Sequence, residues 1–215
     1  MKKYRLSIGL IIKNEEKCLE RCLLSLQPIL DKVSSELVIV DTGSTDKTKS
    51  IALKYTEKVF DFIWCDDFSK ARNFVLAHCA GEWFMQIDAD ESFVETKDII
   101  SFFTSTECSH YNDASYVVRN YHTYNKEKYT DFYLSRIFRI TPDRKYQGII
   151  HEMVPQIGPV KYIDEYVEHY GYVNSFSDNA TKRKNRRNLP LLLKEMNKSP
   201  DNSRLLYQAV QEYLG

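Results

Sequence analysis

Two aspartates separated by one alanine follow an apolar run near the middle of the chain. The run covers residues 83–87, and the acids are Asp88 and Asp90, with Glu91 directly after them. If the strand continued through Asp90, both aspartates would lie on one face, because side chains alternate along a strand. Carboxylates so placed can hold a divalent cation, or one can hold the cation and the other a sugar hydroxyl. A strand that simply ends in a turn explains the same residues, since aspartate favours turns.

The chain before these acids alternates between apolar strands and amphipathic helices. We predict strands over residues 6–12, 36–40 and 59–64, ahead of the acid-tipped strand. The helix after the first strand has an apolar stripe at i, i+3, i+4 and i+7, with Asn14 as its N-cap and Pro28 as its end. Its stripe consists of Leu19, Cys22, Leu23 and Leu26. Two further helices separate the later strands, so the alternation predicts a parallel sheet with right-handed crossovers.

Polar residues follow three of these predicted strands. Asn14 and Glu15 come after the first strand, Asp41 after the second, and Asp88 and Asp90 after the fourth. Sheets of this type bind ligands at the carboxyl ends of their strands. The sequence therefore predicts that one pocket collects all three groups.

The regular alternation of strands and helices ends after Glu91. A helix over residues 96–103 is predicted to precede strands at 115–124 and 132–140, with shorter pieces of mixed sheet at 146–152 and 166–172. From residue 178 the chain is helical and basic. The last segment builds an apolar stripe with little left to bury it, so we expect the chain to continue into helical repeats. Self-association through these C-terminal helices stays open.

Bulk composition excludes several classes of function. The chain has 215 residues, of which 43% are hydrophobic, and its 30 basic residues balance its 30 acidic ones. Nucleic-acid binding is not expected, because no net positive charge recruits a polyanion. No apolar run reaches the ~18 residues that a transmembrane helix needs. The basic N-terminus lacks a signal-peptide cleavage site, and the five scattered cysteines indicate reduced core thiols, so we expect a cytoplasmic protein.

Four motifs, taken in their order, resemble family 2 glycosyltransferases of the GT-A fold. They are the turns at residues 14–16 and 40–46, the triplet Ala71-Arg72-Asn73 and the motif Asp88-Ala89-Asp90. Segments 148–152 and 169–172 resemble a branch in which a short catalytic domain precedes tetratricopeptide-like helices, and which includes transferases that glycosylate peptides and proteins. Many members have a second aspartate where this chain has Thr42.

The resemblance covers about residues 5–190 and implies an α/β GT-A fold. Its mixed sheet would have a parallel N-terminal, nucleotide-sugar-binding half at residues 1–91 and an acceptor half at 92–175. Residues 176–215 would form a helical extension, the start of helical repeats. The implied enzyme is an inverting, metal-dependent glycosyltransferase that uses a nucleoside-diphosphate sugar, commonly a UDP-sugar, with Mn²⁺ or Mg²⁺. The implied acceptor is a protein, a peptide or a cell-surface glycan.

The same resemblance assigns roles to individual residues. Asp41 would accept a hydrogen bond from the uracil ring or ribose, Asp88 would bind the ribose side, and Asp90 would bind the metal. Such a cation neutralises the diphosphate as it leaves. Glu152 would be the general base that takes the acceptor's proton, and His169 would complete the metal shell or meet the diphosphate.

The expected donor-binding set also includes Asn14, Glu15, Arg72, His151 and Arg186. Helix capping alone explains Asn14 and Glu15, and a turn explains Asp41. Arg72 can instead form an internal salt bridge to an acid such as Asp88, because a guanidinium near a buried stripe needs a partner.

Two further members of the donor-binding set have structural alternatives. His151 can orient Glu152 or bind the phosphates, or it can be an ordinary half-buried histidine. Arg186 belongs to the basic run at residues 182–187, and such a run is usually a solvated helix face.

Two other functions would use a similar set of residues. A sugar-nucleotide pyrophosphorylase should carry a glycine-rich loop after its first strand, and residues 10–13 contain none. A non-catalytic nucleotide-sugar-binding or partner-docking module of the same fold stays open. The joint presence of Asp41, Asp88, Asp90 and Glu152 argues against it.

Overall fold

The computed structural model describes residues 4–171, 173, 178–198 and 202–214, with side chains left out at 178–186 and 211–214. Within these ranges, eight strands form one sheet in the order β3-β2-β1-β4-β7-β6-β8-β5. In chain order they are β1 Tyr4–Ile12, β2 Ser35–Asp41, β3 Val59–Asp61, β4 Gly81–Gln86, β5 Glu91–Phe93, β6 Asp113–Tyr121, β7 Tyr129–Arg139 and β8 Val160–His169. Strands β1 to β4 pair in parallel, which confirms the predicted parallel arrangement of the N-terminal strands. Antiparallel pairing then joins β7 to β4 and β6 and joins β5 to β8, while β6 and β8 run parallel.

Helices cover both faces of the sheet and extend the C-terminal end. They are α1 Leu19–Lys32, α2 Thr48–Ala52, α3 Phe68–Ala77, α4 Lys97–Thr104, α5 Asp178–Lys198 and α6 Ser203–Leu214, with a short 3-10 helix at Glu107–His110. The helices α5 and α6 confirm the helical character of the C-terminal extension; repeats, and domain limits at residues 91 and 175, stay predictions. None of the helices in the described ranges combines the length and apolar character needed to span a bilayer.

The limits of α1 correct the sequence prediction at both ends. All four residues of its predicted stripe are buried, so the amphipathic pattern is confirmed. Asn14 is not its N-cap, because the helix begins five residues later and Asn14 has a φ of 56°, outside helical geometry. Pro28 lies inside the helix and does not end it. The proline removes one hydrogen bond, the one to the carbonyl of Leu24, whose side chain is on the exposed side of the helix. The helix continues past the proline because the buried Ile29 anchors its last turn.

The core has two layers because the strands alternate. Leu6, Ile8, Leu10 and Ile12 of β1 face α1 and α4 on one side, together with Trp83 and Met85. Phe84 faces the other layer, with residues of β2, α3 and β7. Gly9 permits this packing, since a Cβ there would lie 2.3 Å from the Phe84 ring.

A buried carboxylate joins the N-terminal strands at the end opposite to the acids. Glu36 of β2 accepts hydrogen bonds from Ser7 Oγ at 2.5 Å and from the Ala80 N–H at 2.5 Å, and it pairs with Lys58. Burial raises the pKa of Glu36, but these partners outweigh it and hold that pKa below its ordinary value. The ionised carboxylate therefore stabilises this end of the sheet.

Residues 146–152 form a loop, so the prediction of a sheet piece there was wrong. Only a single bridge between Gln147 and Met153 resembles pairing. Gly148 and His151 have φ values of 95° and 52°, and such positive angles interrupt a strand. Of the second predicted piece, at residues 166–172, residues 166–169 are the end of the longer β8, and residue 172 lies outside the described residues.

Candidate active site

Asp41 closes the turn that follows β2. Its side chain is 3% exposed, and Oδ1 accepts hydrogen bonds from the N–H groups of Gly43 at 2.9 Å and Ser44 at 2.7 Å. Gly43 has a φ of 103°, which glycine adopts readily. The turn alternative for Asp41 is thus confirmed, and both bonds use Oδ1. A role for Oδ2 toward a nucleoside stays a prediction.

The turn after β1 is tied to the turn after β2. The Asn14 side chain accepts a hydrogen bond from the Thr45 N–H at 2.8 Å, and its backbone N–H donates to Ser44 Oγ at 3.0 Å. The Glu15 N–H donates to Thr48 Oγ1 at 2.6 Å. Asn14 and Glu15 therefore lie beside Asp41's turn, as expected for neighbouring strand ends.

Asp88 and Asp90 lie in a turn rather than in the strand. β4 ends at Gln86, and the Glu91 N–H donates to the Asp88 carbonyl at 3.0 Å. The expected alternation across a strand face was therefore wrong. The physical reason is that β5 pairs with β8 rather than continuing β4, so the chain must turn between them. Asp88 contacts two arginines, whereas Asp90 contacts a histidine.

Two arginines and three carboxylates form one network, in which Asp88 is the most exposed member at 31%. Arg72 donates to Asp88 Oδ1 from Nη2 at 2.5 Å and to Glu152 Oε1 from Nε at 3.1 Å. Arg136 donates to Asp88 Oδ2 at 3.0 Å and to Glu91 Oε2 at 2.5 Å. Burial raises the pKa of Asp88, but the two guanidinium groups outweigh it and hold that pKa well below its usual range. The salt-bridge alternative for Arg72 is confirmed, and Arg72 also reaches the expected base.

The sequence reasoning missed Arg136 and the buried role of Glu91. Glu91 is 2% exposed, and burial, assisted by Asp88 and Asp90, raises its pKa to about 7 despite Arg136. An arginine inside the apolar end of a predicted strand was the available signal, because a buried guanidinium needs a carboxylate partner. Its partners could not be read from the sequence.

Asp90 pairs with His169 at the end of β8. Asp90 Oδ2 and His169 Nε2 are 3.0 Å apart, and His169 Nδ1 lies 2.6 Å from Asn120 Oδ1. Burial lowers the pKa of His169, but Asp90 outweighs it and the pKa is raised. Gly171 passes close above, since a Cβ there would lie 2.5 Å from His169 Nε2. Asn120 was not anticipated, whereas Gly171 lies in the segment 169–172 that carries the resemblance.

Glu15 belongs to the same electrostatic neighbourhood. Burial raises the pKa of Glu15, and Asp90 and Asp88 add to the increase. Because β1 and β4 are parallel neighbours, the turns that follow them lie at the same edge of the sheet, as predicted.

The pair formed by Asp90 and His169 suits a metal ion shared with a ligand. No group of three or more histidine, cysteine or acidic side chains is placed to hold a metal in the part of the chain that the structure describes. The protein would therefore supply these two donors, and other oxygens would come from a ligand and water. One carboxylate with an imidazole is a donor set that Mn²⁺ accepts, and Mg²⁺ commonly takes one or two carboxylates plus phosphates.

The loop that carries Glu152 is held by the helical extension. Ile149 and Ile150 are buried against α5 and α6, and the Ile149 N–H donates to Glu195 Oε2 at 3.3 Å. The Arg204 side chain donates to the His151 carbonyl at 3.4 Å. On the other side, the Ile149 carbonyl accepts a hydrogen bond from the first residue of α3, the helix that carries Arg72. The loop that carries the expected base is thus held by a residue of α5 that lies 46 positions beyond Ile149.

The structure brings together Glu15, Arg72, Asp88, Asp90, Glu152 and His169. Asn14 and Asp41 lie in the adjoining turns, and the His151 side chain is exposed beside Glu152. The Arg186 side chain lies outside the described residues. Its neighbour Arg187 lies over the Phe68 ring at 5.3 Å.

The chain is similar in sequence and in fold to several known proteins. The model of the family "Glycosyl transferase family 2" matches residues 7–162. A TPR repeat-containing protein of Synechococcus elongatus is 31% identical over 181 residues, which are 78% of this chain and 42% of that protein. The SPbeta prophage-derived glycosyltransferase SunS of Bacillus subtilis is 29% identical over 94% of this chain and 47% of its own length. The chain thus spans less than half the length of these two relatives.

Among solved structures, S. aureus TarS covers 98% of this chain and 44% of its own, with a TM-score of 0.57 and 18% identity. A shorter form, TarS 1-349, covers 97% of this chain with a TM-score of 0.53 and 16% identity. At this level of identity, the likeness shows a shared fold.

Proposed function

Because the chain belongs to glycosyl transferase family 2, we propose that it transfers a sugar from a UDP-sugar to a protein, peptide or cell-surface glycan, with inversion and with a divalent metal. The proposal rests on one observation above all: the turn with Asp88 and Asp90 meets Arg72, Glu152 and His169 in one place. Cationic groups, a two-donor metal site and a carboxylate base are the parts that such a transfer needs.

Arg72 also has one unsatisfied hydrogen-bond donor. It is 5% exposed, and its Nη1 has no hydrogen-bond partner among the described residues. An unpaired buried donor is costly, so its presence is typical of a site completed by a ligand. We assign Nη1 to an oxygen of the donor substrate.

The nucleoside end of the donor lies, in our proposal, against Asp41, Asn14 and Glu15. Asp88 accepts the ribose hydroxyl with the remaining lone pairs of its two arginine-bound oxygens. Asp90 and His169 would hold Mn²⁺ or Mg²⁺, which supplies charge neutralisation to the diphosphate when bound.

The phosphate side is assigned to the two remaining expected residues, His151 and Arg186. His151 lies in the same loop as Glu152, and its exposed side chain is accessible to a ligand. Arg186 belongs to α5, the helix that packs on this loop. Both assignments come from the resemblance and from this proximity.

Glu152 takes the proton from the acceptor as the acceptor oxygen or other nucleophile attacks the anomeric carbon opposite the leaving diphosphate. Arg72 orients the Glu152 carboxylate through Oε1 at 3.1 Å, which leaves Oε2 for the proton. The side chain is 11% exposed, so little bulk water competes with the acceptor.

A panel of UDP-, GDP- and TDP-sugars with Mn²⁺ or Mg²⁺ tests the proposal. We expect a UDP-sugar at 100 times its Kd to stabilise the protein by about 2.7 kcal/mol, seen as a raised melting temperature, and to be slowly hydrolysed. Asp90→Ala should lose the metal-dependent part of the stabilisation. Asp61→Ala is the matched control, because Asp61 ends β3 with an exposed side chain bound to Lys49.

Two results would count against the proposal. If no nucleotide sugar raised the melting temperature with either metal, the donor assignment would be wrong. If a donor bound tightly but was neither hydrolysed nor transferred, the non-catalytic module of the same fold would be the better description.

A further inference from the structure

One half of β7 has a strand neighbour on one side only. β7 pairs with β6 from Tyr129 to Phe138, but it pairs with β4 only from Ile137 to Arg139. No other strand in the described ranges lies beside residues 129–136. The gap exists because β4 ends at Gln86 and the chain then turns through the acids.

Along the open edge, some backbone groups of β7 have no strand partner among the residues that the structure describes. The His122 N–H donates to the Lys128 carbonyl at 2.8 Å, so this pair is a hydrogen-bonded pair of the β6–β7 ladder. Because such pairs alternate along an antiparallel ladder, Tyr129, Asp131 and Tyr133 direct their backbone N–H and C=O groups to the open side. These outward groups recur at every second residue, which is the spacing that a pairing strand requires.

The edge lacks two of the features that usually protect an edge strand. Proteins blunt such edges with prolines, lysines or bulges, and residues 129–135 contain neither proline nor lysine. The register irregularity between Ser135 and Ile137 lies only at the end of the edge, next to the candidate active site. Tyr129, Phe132 and Tyr133 are 50%, 54% and 50% exposed. The one charged side chain, Asp131, is bound by Arg119 at 2.8 and 2.9 Å.

This edge runs directly into the candidate active site. The next residue, Arg136, donates to Asp88 at 3.0 Å. A strand added beside residues 129–135 would lie in the space that β4 leaves, next to the turn with Asp90. About seven residues of extended chain, roughly 23 Å, would fit there.

We propose that the acceptor is an extended polypeptide that pairs with residues 129–135 of β7 as an additional strand. The inference rests on the proposed function and narrows its acceptor to one class. A polypeptide backbone offers donors and acceptors at the same period as the open edge, and pockets between exposed side chains give specificity. A glycan has no such period.

A second copy of this chain is the competing occupant. It would pair through its own open edge and bring the rest of its folded sheet beside the turn at Asp88. A single extended chain leaves that turn open to the donor, and the edge ends at the turn. These two features favour a peptide.

A matched pair of variants tests the edge. Asp131→Ala removes the ion pair with Arg119 but keeps the outward N–H, whereas Asp131→Pro removes both. Proline is tolerated at an edge position whose N–H makes no ladder bond. The melting temperature and the shift caused by UDP with Mn²⁺ check that each variant is folded.

The probe is a displayed library of random twelve-residue peptides, selected on the whole chain. We expect selected peptides to bind Asp131→Ala about as well as the parent and to bind Asp131→Pro about tenfold more weakly. On binding, the amide protons of Tyr129, Asp131 and Tyr133 should become protected from hydrogen exchange.

Three results would overturn the inference: no peptide is selected, the proline variant binds peptides as tightly as the alanine variant, or these amides stay unprotected. Concentration-dependent dimerisation that Asp131→Pro abolishes would assign the edge to a second copy instead. UDP binding without peptide binding refutes this inference alone. Peptide binding by a protein that binds no nucleotide sugar refutes the proposed function.

Discussion

Replacing Glu152 by glutamine separates its proposed chemistry from its structural contact. The substituted amide would retain an oxygen that accepts the hydrogen bond from Arg72 Nε, now 3.1 Å from Glu152 Oε1. It would lose the charge and the capacity to take a proton. Donor binding should therefore persist while transfer slows.

The size of each effect follows from these contacts. A general base contributes roughly 10²- to 10⁴-fold, so transfer should slow by at least ~10²-fold, or about 2.7 kcal/mol in the activation free energy. Exchanging a charge-assisted hydrogen bond for a neutral one costs about 1 kcal/mol of folding stability. The loss of rate thus exceeds what a loosened Arg72 contact explains.

The assay measures transfer, donor hydrolysis and urea unfolding on the same preparations. Glu82→Gln is the control, since Glu82 also binds arginines, Arg5 and Arg139, but lies at the amino end of β4. It should lose a little stability and no more than about twofold in rate. Transfer by Glu152→Gln at the parent rate would refute the base assignment.

Three further predictions follow from the same contacts. Arg136→Met should destabilise the fold by about 3–5 kcal/mol in urea unfolding, because it leaves the buried Glu91 carboxylate without its arginine, while Asp88 keeps Arg72; adding Glu91→Gln should recover part of the loss. Glu36→Gln should cost about 1–3 kcal/mol at pH 7. Since the folded-state pKa of Glu36 is below its ordinary value of 4.5, this stabilisation is present above that pH and is lost as the pH falls through the lower value, so parent and variant should converge in acid. Glu195→Ala should lower kcat about tenfold with an unchanged donor KM, because it frees the loop that carries the base, and Glu195→Gln should restore most of the rate.

Each of these predictions has a contrary result. Equal stability of Arg136→Met and the parent would mean that the network contributes nothing to folding. A stability difference for Glu36→Gln that stays constant from pH 7 to pH 3 would contradict the lowered pKa. If Glu195→Ala raised the donor KM and left kcat unchanged, the extension would act on donor binding rather than on the base.

The sequence by itself determined the alternation of the N-terminal half. Runs of apolar residues and stripes such as Leu19 with Leu26 depend only on periods along the chain, and those periods report which faces are buried. From that alternation it also follows that Glu15, Asp41 and Asp88 come at neighbouring strand ends. The periods do not report local φ values. The positive φ of Asn14 therefore contradicted its prediction as an N-cap, and the turn at Asp88 contradicted a strand through both aspartates.

Tertiary structure decided which of these residues touch. Arg72 and Glu152 are 80 positions apart, and Asp90 and His169 are 79 apart. The second contact depends on the register that sets Glu91 opposite His169 between β5 and β8. Such registers arise from the packing of the whole sheet, and no local pattern encodes them. The open edge of β7 has the same origin, because it exists only where β4 stops short.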